Sequence, residues 1–418
     1  MRCVLFSMVS AVALTACINH VNVQCAQNSD CNQYDRGVCS RAAGTPHQWC
    51  AYPDPNCGPD GLRYSTVEVG DGVSGTCVLS TIQDAGIDID ASVDGATDAA
   101  ADAAPAQPST SCIALPHTCG VGANDDCCNS LEVPGGTYSR GFDVGGGADS
   151  GAQGSVATVG TFALDKYEVT VGRFRAFVSA NQGTQVSPPP AGSGTNAHIP
   201  GSGWQSGWNT ELAPNSAALS TALRCTLSSG SNPGATWTDI AADNETLPIT
   251  CVTWYEAMAF CAWDGGFLPT DAELNYASAG GDQQRAYPWS SPPQDLTLDI
   301  AHASYGCLGD GMSGLCSLAD IGRVGTRPMG NGRWGHADLA GNASEWALDW
   351  HKTTFSVCLG GLNTTTDCAD LDPNHATNRV VRGGAFIGQT SQLRTGTRAN
   401  TNPVTRFGNY GMRCARAH

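Results

Sequence analysis

Positive charge is what this sequence has least of: 21 Lys and Arg stand against 38 Asp and Glu, giving a formal net charge of −17 although only 14% of residues are charged. The acidity therefore reflects a shortage of basic side chains more than a dense acidic surface. A chain so poor in Lys and Arg cannot neutralise a phosphate backbone, which excludes nucleic acid as a partner. Beyond residue 16 no segment is apolar enough to span a bilayer. Also missing are an H-E-x-x-H helix, a P-loop, a Gly-rich dinucleotide turn and a serine in a nucleophile-elbow pattern. The nine histidines are scattered, so His336 and His351 read as bystanders before they read as ligands.

What the chain does have begins at its start. Met1 and Arg2 precede an apolar run from Val4 to Ala16 that closes in Leu14, Thr15, Ala16 and Cys17. A small residue before a cysteine at the end of a short apolar segment is the order a lipoprotein signal peptidase needs. The expectation is a signal peptide over 1–17, with lipid on Cys17 holding the chain to a membrane. The plainer alternative is a secretory signal with an incidental cysteine. Ile18, in place of Asp, points to the outer membrane. Twenty cysteines in an exported chain imply an oxidising compartment, and setting Cys3 and Cys17 aside leaves an even eighteen.

Composition divides the remainder into three stretches. Residues 18–80 carry Cys25, Cys31, Cys39, Cys50, Cys57 and Cys77 among Gly, Pro, Asn and Asp, a small module expected to depend on cross-links each worth about 2–4 kcal/mol. Zinc is the rival reading, and the missing C-x-x-C pairs oppose it. Residues 81–110 collapse to Ala and Asp without a basic side chain, which reads as an extended spacer, with calcium on Asp88 and Asp90 as the lesser alternative. From residue 112 to 418 the chain is expected to be globular, Gly-rich and low in regular structure. Val171, Phe174, Phe177 and Val178 share one helical face. Thr253 with Glu256 and Thr270 with Glu273 are capping boxes for two further helices, the second ending before Gly280.

The order of several segments carries a resemblance: VPGGTYSR at 133–140, LDKYEVTV at 164–171, VTWYEA at 252–257, GFLPTDAE at 266–273, YPW at 287–289, DLAGNASEW at 338–346, RGGA at 382–385 and GMRC at 411–414. Together they resemble the formylglycine-generating enzyme, or sulfatase-modifying factor, family over roughly residues 129–418. The resemblance implies an α+β domain of unusual C-type-lectin-like topology. Competent members oxidise a cysteine of a client sulfatase, using copper, dioxygen and two cysteines. The first of these follows the serine of an Arg-Gly-Gly-Ser motif by three residues and the second comes five later. Here Ala385 stands for the serine and Gly388 for the first cysteine, and no cysteine lies between Cys368 and Cys414. Two thiolates suit Cu(I) and glycine offers none, so copper chemistry is expected to be lost.

The resemblance also implies a disulfide between Cys261 and Cys414. A second family bridge should be missing, with Ser278 and Thr395 at its two positions. It further implies calcium on Asp338 and Glu345 and on the carbonyls of Gly341 and Ala343. Against the calcium reading stands a structural one, in which Asp338 caps a turn and Glu345 pairs with an arginine such as Arg382. Asp320 is a candidate for a second calcium site, and Ser344 stands where the family often has tryptophan. Proximity suggests the pairs Cys225 with Cys251, Cys307 with Cys316 and Cys358 with Cys368, and a cluster of Cys112, Cys119, Cys127 and Cys128. The expected function is binding or scaffolding of glycan or protein, with the loop from Thr184 to Asn232 and its Trp204 and Trp208 as contact surface. The alternative is an oxidoreductase acting on a client cysteine, with Cys358 and Cys368 as substitute ligands.

Overall fold

The computed structural model describes residues 109–418 apart from 114, 117, 145–153, 226–233 and 354–365, together with four short strands between residues 24 and 64. The signal peptide, Cys17, Cys358 and the expected spacer up to residue 108 lie outside the described residues, whereas Ser109 and Thr110, also read as spacer, are part of the larger unit. In the N-terminal module, β1 (Gln24–Cys25), β2 (Val38–Arg41), β3 (Gln48–Pro53) and β4 (Leu62–Tyr64) form one antiparallel sheet in which β3 pairs with the other three.

The larger unit is built from short strands held by helices. β5 (Ser130–Val133) and β13 (Ala415–Ala417) flank β8 (Phe162–Asp165), while β6 (Gly136–Arg140) and β7 (Ser155–Val159) form a hairpin. A second sheet runs β11 (Ala399–Thr401), β10 (Arg379–Arg382), β9 (Ser344–Trp350) and β12 (Tyr410–Gly411), with β12 parallel to β9. Each expected helix forms. α1 (Val171–Ser179) starts at the Thr170 cap and buries the predicted face. α3 (Trp254–Trp263) has its complete Thr253–Glu256 capping box and is buried from Trp254 to Cys261, as a helix apolar on all sides must be. α4 (Asp271–Ala279) starts at the Thr270–Glu273 box and stops at Gly280, whose φ of +65° ends a helix without side-chain cost. α2 (Ser216–Ala222), capped by Asn215, lies inside the segment expected to be loop.

That segment also requires a correction. Trp204 is 1% exposed, and its indole N–H donates to Asn209 Oδ1 at 2.8 Å. Trp208 is half-buried, its ring edge-on to Trp204 at 5.4 Å and to Trp254 at 5.1 Å. Neither ring is a free contact surface, because indoles bury too much apolar area to be left in water when a core adjoins them. Around the same rings, the buried guanidinium of Arg379 lies 3.6 Å from the Trp254 centroid and 3.7 Å from that of Trp350.

Among the described residues, five disulfides have both cysteines in view in the larger unit: Cys112–Cys128, Cys119–Cys127, Cys225–Cys251, Cys261–Cys414 and Cys307–Cys316. Beside Cys414 lies a closed ring of buried charge. Arg173 reaches Asp165 at 2.8 Å and Asp264 at 2.6 Å, and Arg416 bridges the same two carboxylates. The chain entering the domain docks on this ring, since Ser111 N–H donates to Asp264 Oδ1 at 2.7 Å and Arg416 donates to Ser109 Oγ at 2.8 Å. Removing one partner would strand a buried charge at a cost of about 3–5 kcal/mol.

Candidate functional site

β10 ends at Arg382, and the two glycines that follow make a turn that only glycine adopts freely, with φ of +87° at Gly383 and +68° at Gly384. The turn leads to Ala385 and the fully buried Phe386, and then to Gly388. Arg382 to Ala385 and Gly388, together with Ser344 on β9 and with Phe407, Asn409 and Tyr410, line a cleft of about 450 Å³. Ser344 takes part in the cleft wall, where the family tryptophan would bring a much larger ring.

The cleft contains no thiol among the described residues, and its backbone is fitted to that absence. Gly388 N–H donates to Ala385 O at 2.6 Å and its own carbonyl accepts from Gly306 N at 2.8 Å. A Cβ at Gly388 would lie 2.9 Å from Ala385 O and 3.0 Å from Gln392 Oε1, closer than side chains normally approach. Five residues on, Leu393 is 1% exposed and packs with Tyr287, Ala303 and Ala340 in a buried apolar cluster. Cys368 is disulfide-bonded. Ser278 and Thr395 are not cross-linked; their hydroxyls donate to the carbonyls of Leu274 and Arg285.

Beneath the cleft lies an ionic layer. The Asp271 carboxylate takes Arg140 at 2.6 Å, Arg398 at 3.5 Å and Arg382 through its Nε. Burial alone would raise the Asp271 pKa, but Arg382, Arg140 and Arg398 outweigh it and hold the group well below the carboxylate range. Asp349, which pairs with Arg140 at 3.3 Å, is raised by burial ahead of the opposing pull of Arg140. Arg382 thus belongs to Asp271. The alternative reading, in which Glu345 pairs with an arginine, holds with a different residue from the example of Arg382: Glu345 pairs with Arg413, whose Nε lies 2.8 and 2.9 Å from its two oxygens. Arg413 sits two residues after β12, which runs parallel to the Glu345 end of β9, so register brings the two together.

The loop expected to hold calcium adjoins the cleft turn, with Gly341 N–H donating to Gly383 O at 2.9 Å. Positive φ at Asp338 (+54°), Gly341 (+84°) and Asn342 (+60°) folds it tightly. Asp338 Oδ2 accepts from Gly325 N–H at 2.6 Å. A residue not singled out from the sequence completes the picture. Glu168 is fully buried, accepting from Ala343 N at 2.8 Å and from Asn342 Nδ2 at 2.6 Å. Burial first, then repulsion from Asp338 and Glu345, pushes its pKa well up. Burial likewise raises Asp338 and Glu345, the latter against Arg413. Glu168 stood in the quoted LDKYEVTV segment, and its only signal was an acidic residue between an aromatic and a β-branched one.

Two other candidates have structural duties. Asp320 caps a short 3-10 helix by accepting from Ser317 N at 2.7 Å. His336 is fully buried and held neutral, its pKa pushed down to about 3 by burial and then by Arg413. Among the described residues, the group of Cys112, Asp126 and Cys128 has metal-ligand spacing, but its two sulfurs are spent in a disulfide.

Comparison with known proteins bears on this geometry. The family described as a sulfatase-modifying factor enzyme 1-like domain matches residues 121–418. A formylglycine-generating enzyme of Thermomonospora curvata is 28% identical over 303 residues, 68% of this chain and 92% of that protein. A Bos taurus protein named inactive C-alpha-formylglycine-generating enzyme 2 is 26% identical over 312 residues, 70% of this chain and 89% of its own. Among solved structures, PvdO from Pseudomonas aeruginosa is 19% identical with a TM-score of 0.46, covering 69% of this chain and 94% of that one.

Proposed function

The chain belongs to the sulfatase-modifying factor, or formylglycine-generating enzyme, family, and on that premise we propose that it is a non-catalytic member whose cleft binds a segment of another protein or a glycan. One observation carries the reading. Where the thiol pair would stand are Gly388 and Leu393, one closed in by the Ala385 carbonyl and the other buried in an apolar cluster. Copper(I) requires soft donors, and the carbonyls and amides around Gly388 do not fit it, so no step through copper is drawn. Similarity to relatives named inactive supports the same reading.

Calcium fits better. Asp338, Glu345 and Glu168 are buried, Asp338 and Glu345 repel Glu168, and Arg413 holds Glu345, so a bound cation would relieve a surplus of carboxylates. Asp338, Glu345 and the carbonyls of Gly341 and Ala343 would hold the ion, which would stiffen the loop that carries one wall of the cleft. The lipobox supports attachment to the outer membrane through lipid on Cys17; among the described residues no helix is long and apolar enough to cross a membrane.

The test is an oxidation assay on the full chain, with Cu(I), dioxygen and a peptide bearing the sulfatase-type C-x-P-x-R motif. Mass spectrometry should find no thiol-to-aldehyde conversion where an active relative converts the peptide fully. Conversion would overturn the reading and make the remaining cysteines the next targets.

A further inference from the structure

Resting on the reading of the cleft as a binding site, we propose that it selects a carboxylate, presented by a segment of a partner protein as an acidic side chain or a C-terminus. Among the described residues the cleft wall includes Arg382 and Arg398 and no acidic side chain, in a chain whose formal charge is −17. Arg382 is 5% and Arg398 6% exposed, so their charges are screened far less than surface charges would be. Arg382 spends Nε on Asp271 and Nη1 on the carbonyls of Thr395 and Thr397. Its Nη2 is shut off from bulk water and finds no acceptor. Asp271 and Asp349 between them answer the guanidinium groups of Arg140, Arg382 and Arg398. Negative charge entering the cleft therefore meets positive charge that solvent does not quench.

The rest of the cleft favours peptide over sugar. Val381 and Ile387 give it aliphatic wall, while Phe407 and Tyr410 pack edge to face on each other at 5.0 Å instead of presenting two open ring faces for stacking. A disulfide-closed loop is tied to the cleft turn. Gly306 and Cys307 hydrogen-bond to Gly388 and Phe386, and they begin a loop closed by the Cys307–Cys316 disulfide. Met312 and Leu315 on that loop are 67% and 91% exposed. An acidic residue flanked by aliphatic ones matches the cationic and aliphatic parts of the cleft wall.

The experiment titrates the full chain with a fluorescent hexaglutamate peptide, with hexaglutamine and tetragalacturonate as comparisons. Ala399, exposed on β11 at the cleft edge, is changed to Glu, Lys or Gln, with melting temperature as the folding control. Hexaglutamate should bind at least about tenfold tighter than hexaglutamine, and less tightly as salt rises. Measured against Ala399→Gln, which matches them in bulk without charge, Ala399→Glu should weaken binding roughly five- to tenfold and Ala399→Lys should strengthen it comparably. Equal binding of hexaglutamine would overturn the carboxylate preference while leaving the binding cleft intact. Tighter binding of tetragalacturonate would overturn the assignment to a peptide. Binding of neither peptide would overturn the proposal, and the non-catalytic reading would then rest on the oxidation assay alone.

Discussion

Restoring the two family cysteines should damage the protein without reviving it. In Gly388→Cys the new Cβ would stand 2.9 Å from Ala385 O and 3.0 Å from Gln392 Oε1. Gln392 can swing away, but the carbonyl belongs to the backbone and already accepts the Gly388 N–H at 2.6 Å. Opening that turn is comparable to overpacking a core, about 1–3 kcal/mol. Leu393→Cys removes aliphatic volume from a site that is 1% exposed, at roughly 2 kcal/mol. The double variant should therefore lose about 3–5 kcal/mol, which for a domain of roughly 300 residues lowers Tm by about 5–8 °C. Calorimetry of the full chain reads the loss, and competition with a chromophoric Cu(I) chelator reads metal binding. A double variant that melts with the wild type and takes up one Cu(I) would refute the argument that this backbone has closed around glycine.

Three further outcomes are expected. Glu273, buried, has its pKa raised to about 7 by burial against the N–H groups it accepts; a raised carboxylate contributes stability below its unfolded pKa that is lost as pH climbs through 7, about 3 kcal/mol in all. Urea midpoints at pH 5 and pH 8 should thus differ less in Glu273→Gln than in the wild type, and parallel profiles would sink the assignment. For Arg379, stacked between Trp254 and Trp350 with Nη1 donating to Leu348 O at 2.6 Å, Arg379→Lys should cost about 1–2 kcal/mol and Arg379→Ala roughly 3–4. A silent alanine variant in thermal melts would show that desolvation cancels the stacking. Calcium at a hundred times its Kd should stabilise the chain by about 2.7 kcal/mol over chelator-treated protein, and an unchanged melting temperature would remove calcium from the Asp338 loop.

Local rules were the legible part of this fold. Thr253 and Thr270 announced their helices because a capping box is complete within four residues, and the spacing of Val171, Phe174, Phe177 and Val178 marks its own buried face. Long-range pairing was opaque. Nothing within the sequence ties Arg413 to Glu345 or Asp271 to three arginines from three distant segments; strand register does that. The loop with Trp204 and Trp208 misled because its Gly, Pro and Ser suggest exposure, whereas two indoles beside α3 fix the outcome the other way. α2 escaped notice because its Ala and Ser residues carry little periodic signal, and the Asn215 cap was its one clear mark.

The ring of Asp165, Arg173, Asp264 and Arg416 also sets a timetable for biogenesis. Arg416 lies 251 residues beyond Asp165, and β8 sits between β5 and β13. At about 5–20 residues per second, the ribosome needs on the order of ten to fifty seconds to supply the second half of the ring. Throughout that interval the Cys261 thiol has no Cys414 to meet and β8 has an open edge, which invites association with other chains. The native domain is thus out of reach of the nascent polypeptide. The contacts that close the domain can form only once the final strand has been made.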